Sequence, residues 1–293
     1  MINQAKTFFS TLALLGLATL FSLVIGATSA SAALVTTDLS IHYRADNVDG
    51  AGNAGNGSTT TLVNLANPGT HNGTIISGTG VTQNLAQVGT AYEYGVVLTG
   101  SSETHIAANS FAIAGGTNKV TNATWEFWMR ADNGVTSGRG ALYGEFSASG
   151  TDVRHFLRLQ GIGTATRNAS YDEFPPSGGN ALSDAQLYDT ATFTQIVVTK
   201  SGDTMTFFRD GVQVGTTKTS SETYSGSAIT QTLFGQRANQ SEVFDGQFNI
   251  IRVYDSALSS ADVLGNYNST VPEPSSLALL GLGGLLIARR RRG

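Results

Sequence analysis

FTQIVVTKSGDTMTFFRDGVQVG, Phe193 to Gly215, reads as three short strands joined by two tight turns. Ile196 and Val198 alternate with Val197 and Thr199, the period of two expected of a strand with one buried face. Ser201-Gly202-Asp203 interrupts that run, and Thr204 to Arg209 resumes it with Met205, Phe207 and Phe208. Asp210-Gly211 follows; Asp-Gly between apolar runs marks a hairpin, because both turn residues must accept positive φ. Val212 to Thr217 returns as the third strand. An antiparallel meander of this kind commits the chain to an all-β layered fold.

Working outward, Asp38 to Arg44, Gly73 to Ile76, Tyr94 to Leu98, Thr124 to Arg130, Gly140 to Phe146, Arg154 to Gln160 and Phe248 to Tyr254 read as further strands. In Thr124 to Arg130, Trp125, Phe127 and Met129 share one face, and Glu126, Trp128 and Arg130 share the other. Trp128 suits either an outward, ligand-facing surface or the cover of a sheet edge beside a solvated ion pair. Along Arg154 to Gln160, Leu157 and Leu159 point to the core with His155, which makes His155 a hydrogen-bonded core histidine; His42, His71 and His105 are too scattered to join it as metal ligands. Arg158 then stands on the opposite face with Phe156 and Gln160 and is a candidate ligand contact.

Two loops invite functional readings. Asn47 to Thr60 (NVDGAGNAGNGSTT) is either a plain connection or a cation loop built on Asp46, Asp49 and backbone carbonyls; it lacks the acidic ladder and distal Glu of a dedicated calcium loop. Tyr171 to Tyr188 (YDEFPPSGGNALSDAQLY) reads as one long irregular stretch, broken by Pro175-Pro176 and Gly178-Gly179. Loops of that length are functional or mobile. Its Tyr171, Asp172, Glu173 and Phe174 suit a sugar-binding rim, in which an aromatic face stacks on a pyranose and carboxylates accept its hydroxyls. Late in the chain, Ser259 to Asp262 has the form of a capping box opening a short helix that ends near Asn266.

Both termini read as addresses. Met1 to Ala32 carries Lys6, an apolar run from Phe8 to Ile25 and small residues ending in Ala30-Ser31-Ala32, the pattern of a secretory signal peptide cleaved after Ala32. Without the two ends, the 17 basic residues lose Lys6 and Arg289 to Arg292 and become 12, the 21 acids lose Glu273 and become 20, and the body carries about eight net negative charges. Such a body repels phosphate backbones, so nucleic acid is excluded as a partner. Charged residues make up only 13% of the chain, with Gly, Ser, Thr and Asn at the surface instead, and the absence of cysteine means that a body of about 240 residues relies on its core alone. One domain suffices, over residues 33–270.

The central stretch resembles the "W-T-H-V-A-V-T, then Y-x-D-G" hairpin of laminin G-like, concanavalin A-like lectin/glucanase jelly rolls, with Phe193 and Phe208 at the family's Trp and Tyr positions. TNATWEFWMRAD (Thr121 to Asp132), FDGQFNIIRVYDSALSSADV (Phe244 to Val263) and YGVVLTGSSETHI (Tyr94 to Ile106) are similar to three more family blocks, in family order. The resemblance implies a two-sheet antiparallel jelly-roll sandwich, flanked here by an N-terminal signal helix and a C-terminal sorting helix. It also implies a structural calcium in some relatives, held in part at the position of Asn249. Asn249-Ile250 replaces the family's Asp-Glu there, and an amide oxygen is a weaker ligand for a hard cation.

The last stretch, VPEPSSLALLGLGGLLIARRRRG (residues 271–293), combines Pro272-Glu273-Pro274, an apolar run from Leu277 to Ile287, and Arg289, Arg290, Arg291 and Arg292. It resembles the PEP-CTERM sorting signal of exopolysaccharide-producing Gram-negative bacteria. The resemblance implies signal peptidase and exosortase as processing partners, transient anchoring in the inner membrane with the arginines cytoplasmic, and final placement at the cell surface or in the extracellular matrix.

The Glu-x-Asp-x-Glu spacing that jelly-roll glucanases use to point carboxylates into one cleft does not occur, nor does a nucleophile elbow or a zinc motif. A non-catalytic role is expected. Two versions stand open: polysaccharide binding through Trp128, Arg158, Tyr171, Asp172 and Phe174, or a structural, adhesive surface protein that recognises no sugar.

Overall fold

The computed structural model describes residues 32–76, 81–83, 94–99, 104–109, 121–132, 139–162, 166–174, 181–184, 186–190, 192–220, 224, 228–239 and 242–270. The chain divides into units of residues 1–32 and 33–293, and the elements below belong to the second. Residues 1–31 and 271–293, which hold the expected signal helix and sorting helix, lie outside the described residues.

Two antiparallel sheets make up the fold, as the resemblance implies. The first runs β14 (Val212–Gln213), β13 (Thr204–Arg209), β12 (Thr194–Ser201), β7 (Asn122–Ala131), β17 (Asp245–Tyr254), β5 (Tyr94–Thr99) and β4 (Val81–Gln83), with β1 (Leu39–Arg44) also on β17 and β15 (Lys218–Thr219) also on β13. The second runs β11 (Ala181–Leu182), β10 (Asn168–Phe174), β9 (Val153–Gln160), β8 (Arg139–Ser147), β16 (Ile229–Phe234), β6 (His105–Asn109), β3 (Gly73–Ile76) and β2 (Thr61–Leu62). A single helix, α1 (Ser260–Thr270), closes the described chain.

The period of two decides the core. Trp125, Phe127 and Met129 of β7 and Ile196 and Val198 of β12 meet Leu157 and Leu159 of β9 and Tyr143 of β8 in one buried cluster between the sheets. Each large apolar side chain removed from water there contributes about 1.5–3 kcal/mol before entropy is counted. The β12–β13 register runs from Ile196 opposite Arg209 to Ser201 opposite Thr204. The turn beyond it has Asp210 and Gly211 at φ of 50° and 78°, the doubly positive turn that Asp-Gly favours. The third strand of the meander is shorter than the sequence suggests: β14 covers two residues, and β15 resumes the pairing at the other end of β13.

The outer face of the first sheet is also dry. Val197 and Phe208 pack with Tyr254, Leu258 and Val263 in a separate buried cluster under α1. The expected capping box starts this helix: Asp262 N donates to Ser259 Oγ at 3.2 Å, and Ser259 Oγ donates back to Asp262 Oδ2 at 2.6 Å. The helix continues to Thr270, one turn beyond the expected end. It presses so closely on the hairpin turn that a Cβ on Gly211 would lie 2.9 Å from Leu264 Cδ1.

The long irregular stretch expected from residue 171 is corrected at its start. Tyr171 to Phe174 belongs to β10, antiparallel to β9, and Ala181–Leu182 adds a further short strand on β10. β10 ends at Phe174, and within it Tyr171 and Asp172 alternate between the core and the outer face.

Candidate functional site

Four of the expected ligand contacts, Trp128, Arg158, Tyr171 and Asp172, are buried, and each burial has a cause. Trp128 is 1% exposed, stacked on Tyr267 of α1 with ring centroids 5.5 Å apart, and packed with Phe193 and Ile250. The outward surface expected for it is therefore covered by the helix. Its indole Nε1 donates at 3.0 Å to Glu126 Oε1, which also accepts from Gln195 Nε2 at 2.9 Å and Arg252 Nη1 at 2.6 Å. Glu126 Oε2 accepts from Asn266 Nδ2 of α1 at 2.9 Å. Arg252 also reaches His42 Nε2 at 3.4 Å and the Thr270 hydroxyl at 3.3 Å. Burial, then the charges of Arg252 and Arg44, hold the His42 imidazole down to about 2, so it stays neutral. This carboxylate is surrounded by donors from β7, β12, β17 and α1, and the arrangement clamps the helix to the sheet.

Tyr171 is corrected as well: it faces inward and is fully buried. Its hydroxyl lies 2.5 Å from His155 Nδ1, and its ring sits 5.7 Å from Trp125 and 5.9 Å from His155. His155 is thus the hydrogen-bonded core histidine the sequence suggests, held at a φ of 58°. Beside them Tyr143 donates to Glu145 Oε1 at 2.6 Å, and Arg154 pairs with Glu145 Oε2 at 2.7 Å. Burial and the adjacent Glu145 push the Tyr143 phenol well up, so it remains a donor.

The outer face of the second sheet brings Arg158 and Asp172 together. Ser170 of β10 stands opposite Arg158 of β9, and Asp172 opposite Phe156, so Arg158, Phe156, Ser170 and Asp172 share one side of the pleat. Arg158 Nη2 pairs with Asp172 Oδ2 at 3.0 Å, and Arg158 Nε donates to Ser170 Oγ at 3.0 Å, where Gln160 Nε2 also donates at 2.8 Å. The other Arg158 nitrogen, Nη1, reaches both oxygens of Glu242 at 2.8 and 3.0 Å. Arg139 and Arg237 approach the same Glu242 Oε1 at 3.7 and 3.9 Å. The Phe156 ring carries the guanidinium carbons of Arg158 and Arg237 at 5.6 and 5.5 Å from its centroid.

Two details set this cluster apart. Asp172 is 1% exposed, yet its Oδ1 accepts no hydrogen bond. Burial pushes its carboxyl up, against the pull of Arg158. Glu242 sits at a φ of 55°, fixed by a hydrogen bond from Ala141 N to its carbonyl at 2.9 Å, and the Arg139 side chain above it is half exposed. The cluster therefore reaches solvent through Arg139, Arg237 and Glu242. Sequence reasoning placed Arg158 and Asp172 but missed Glu242, Arg139 and Arg237. Glu242 lies 84 residues from Arg158 in a loop without periodicity. Only the lone acid within its Asn/Gln/Ser loop marks it.

Of the remaining expected residues, Phe174 ends β10, and its side chain lies outside the described residues, as does that of Glu173. Asp46 does not suit calcium: its two oxygens are taken by Arg44 Nε and Nη2 at 2.8 and 2.6 Å. Asn249 is buried, and its carbonyl accepts from Ala45 N. A guanidinium thus occupies the carboxylate that a hard cation, wanting six or more oxygens, would need. Ala32 is the first described residue, while Ala30, Pro272, Glu273, Pro274 and Arg289 to Arg292 lie outside. Among the described residues no helix is long and apolar enough to cross a membrane.

Comparison with known proteins supports the fold and the sorting signal. The sequence profile of the concanavalin A-like lectin/glucanases superfamily matches residues 99–264, and that of the PEP-CTERM protein-sorting motif matches residues 270–292. That motif marks an exported protein of Gram-negative bacteria that is processed by an exosortase. No curated protein matches the sequence. Among solved structures, the binding domain of Paraclostridial Mosquitocidal Protein 1 is similar at a TM-score of 0.57 and 12% identity, covering 79% of this chain and 52% of that one. Trypanosoma rangeli sialidase in complex with the inhibitor DANA is similar at 0.53 and 11% identity, covering 80% and 33%. The botulinum neurotoxin serotype D binding domain is similar at 0.52 and 11% identity, covering 80% and 51%. The chain spans between a third and about half of these three proteins, and at such identities the likeness is one of fold.

Proposed function

The chain belongs to the concanavalin A-like lectin/glucanases superfamily, and on that premise we propose that it is an exported, non-catalytic protein that binds polysaccharide at the cell surface or in the extracellular matrix. The observation that carries this reading is the polar cluster on the outer face of the second sheet. There a buried acceptor, Asp172 Oδ1, lacks a donor beside an aromatic ring and several guanidinium groups. Sugars offer what such a cluster lacks, hydroxyl donors on a flat apolar ring face.

A binding role suits the cluster better than hydrolysis. Asp172 and Glu242 are both paired to the one guanidinium of Arg158. Glycoside hydrolysis needs one carboxyl group to give a proton while the other attacks or activates water from across the bond. Two carboxylates gathered on one cation serve recognition instead. The tail's apolar run gives the chain a passing anchor in the inner membrane before processing.

The structural, adhesive alternative rests on a different observation. Val212 and Leu264, 66% and 43% exposed, lie close together where α1 crosses the hairpin turn, and an exposed apolar patch can seat another protein. A polysaccharide screen of the full-length protein in detergent separates the two. Saturable binding that falls on Arg139→Ala or Gln160→Ala supports the lectin-like reading. Absence of binding to any polysaccharide, together with self-association lost on Val212→Asp, favours the adhesive one.

A further inference from the structure

We infer that the clasp around Arg252 and Asn266 sets the rate at which the sorting signal is cut from the body: the last turn of α1 is a brake on the processing of its own chain, and Thr270 is the residue through which it acts. The inference goes beyond polysaccharide binding and concerns the exosortase step that the sorting motif implies.

Position comes first. α1 runs to Thr270, and the match to the sorting motif begins at residue 270, so fold and motif share a residue. Only Val271 stands between Thr270 and Pro272-Glu273-Pro274. A proline two positions on stops a helix, because it lacks the amide proton and disfavours helical backbone at the residue before it. The motif's first proline therefore sets where α1 ends. An enzyme acting within the motif meets the body's fold with no spacer between them.

The bonds come second. A helix end ordinarily frays, since its last four carbonyls lack partners within the helix. This one is pinned. Its last turn has no basic side chain of its own, and Arg252 of β17 supplies the cation that suits the negative end of a helix dipole, with Nη2 donating to Thr270 Oγ1 at 3.3 Å. The Thr270 hydroxyl donates in turn to the Asn266 carbonyl at 2.8 Å, where Ser269 Oγ donates at the same distance.

Asn266 is itself held from three sides. Its Nδ2 donates to Glu126 Oε2 at 2.9 Å and to the Tyr254 hydroxyl at 2.8 Å, and its Oδ1 accepts from Val35 N at 2.9 Å. Tyr254 closes the circle by donating to the Val35 carbonyl at 3.3 Å. Val35 lies two residues into the unit that begins at Ala33, so the start of the body holds the helix that leads into the motif.

The consequence is kinetic. Where a helix end opens and closes faster than a protease cuts, the cutting rate follows the fraction of molecules in which that end is open. Each hydrogen bond lost on opening lowers this fraction, so the clasp keeps the folded precursor uncut for longer than the same tail on an unfolded body.

The test follows C-terminal processing of the full-length protein by pulse-chase in an exosortase-producing host. It compares the parent, Thr270→Val, a variant with Gly-Ser-Gly-Ser inserted between Thr270 and Val271, and the two changes combined. Thr270→Val keeps the shape of the side chain and removes its hydroxyl. The expected result is cutting about three- to tenfold faster in Thr270→Val, the value of one hydrogen bond in the open fraction. The insertion should speed cutting at least as much, with no further gain in the combined variant, because the spacer already separates the motif from the clasp. Amide exchange of residues 266–270, measured on uncut protein in detergent, should rise in Thr270→Val by the same factor as cutting and stay unchanged with the insertion. Cutting that is no faster in Thr270→Val, or no faster with the insertion, overturns the brake. Faster cutting in Thr270→Val without faster exchange also overturns it, since the side chain would then act on the enzyme's recognition of the motif. A parent that is never cut overturns the processing step together with the brake, and every outcome leaves the polysaccharide reading standing.

Discussion

The two outer faces of the sandwich use the same chemistry to opposite ends. On the first sheet Glu126 is fully buried and accepts four hydrogen bonds, from Trp128, Gln195, Arg252 and Asn266. Beside the second sheet Glu242 keeps 12% of its side chain exposed and accepts from Arg158 at 2.8 and 3.0 Å, with Arg139 and Arg237 at 3.7 and 3.9 Å. A carboxylate saturated by the chain's own donors is a fastener. A partly exposed carboxylate beside a buried acceptor without a donor, Asp172 Oδ1, is where the proposed polysaccharide site lies.

The contrast can be broken most strongly at the fastener. Glu126→Ala leaves Arg252 buried without its counter-charge and should cost about 3–5 kcal/mol of stability, read as a lowered urea midpoint. A loss under about 1 kcal/mol would mean that α1 is not clamped through this carboxylate. Asn266→Ala removes the helix side of the clasp, including the bond from Val35 N to Asn266 Oδ1 at 2.9 Å, and should cost about 1–3 kcal/mol.

Acid sharpens the same comparison. His42 belongs to the fastener, and burial with two nearby arginines lowers its imidazole from the usual 6.5 to about 2. Between those values the unfolded chain binds a proton that the native protein refuses, so stability falls as pH drops below about 6.5, by up to about 1.4 kcal/mol per pH unit. Denaturant midpoints measured from pH 7 to pH 4 should show a shallower decline in His42→Gln than in the parent. Identical slopes would contradict a neutral His42. The smallest effect belongs to the cluster on the second sheet: Arg139→Gln should change stability by less than about 0.5 kcal/mol, and yet reduce polysaccharide binding.

The same division explains what the sequence could disclose. The hairpin from Phe193 to Gly215 is legible because its signals are local: period-two alternation and an Asp-Gly turn within some twenty residues. Trp128 is a different case. Alternation correctly puts it on the face away from Trp125, but the cover of that face is Tyr267, on a helix far along the chain. A cue was available in Phe248 to Tyr254, where apolar residues on both sides of the strand, Ile250 and Ile251, imply that both faces are covered. Tyr171 and Asp172 read together as loop residues, but the pleat separates them, sending Tyr171 to His155 and Asp172 to Arg158. Glu242 and Arg237 come from a loop between sheets, where no periodicity forecasts a partner, and only the folded chain brings them to Arg158.

Amide hydrogen exchange of the full-length protein, with and without a bound polysaccharide, tests the assignment of the two faces most directly. The account predicts ligand-induced protection across β8, β9, β10 and the loop around Glu242, with α1 and the β12–β13 hairpin unchanged. Protection confined to α1 and that hairpin would place the ligand on the clasped face and contradict it.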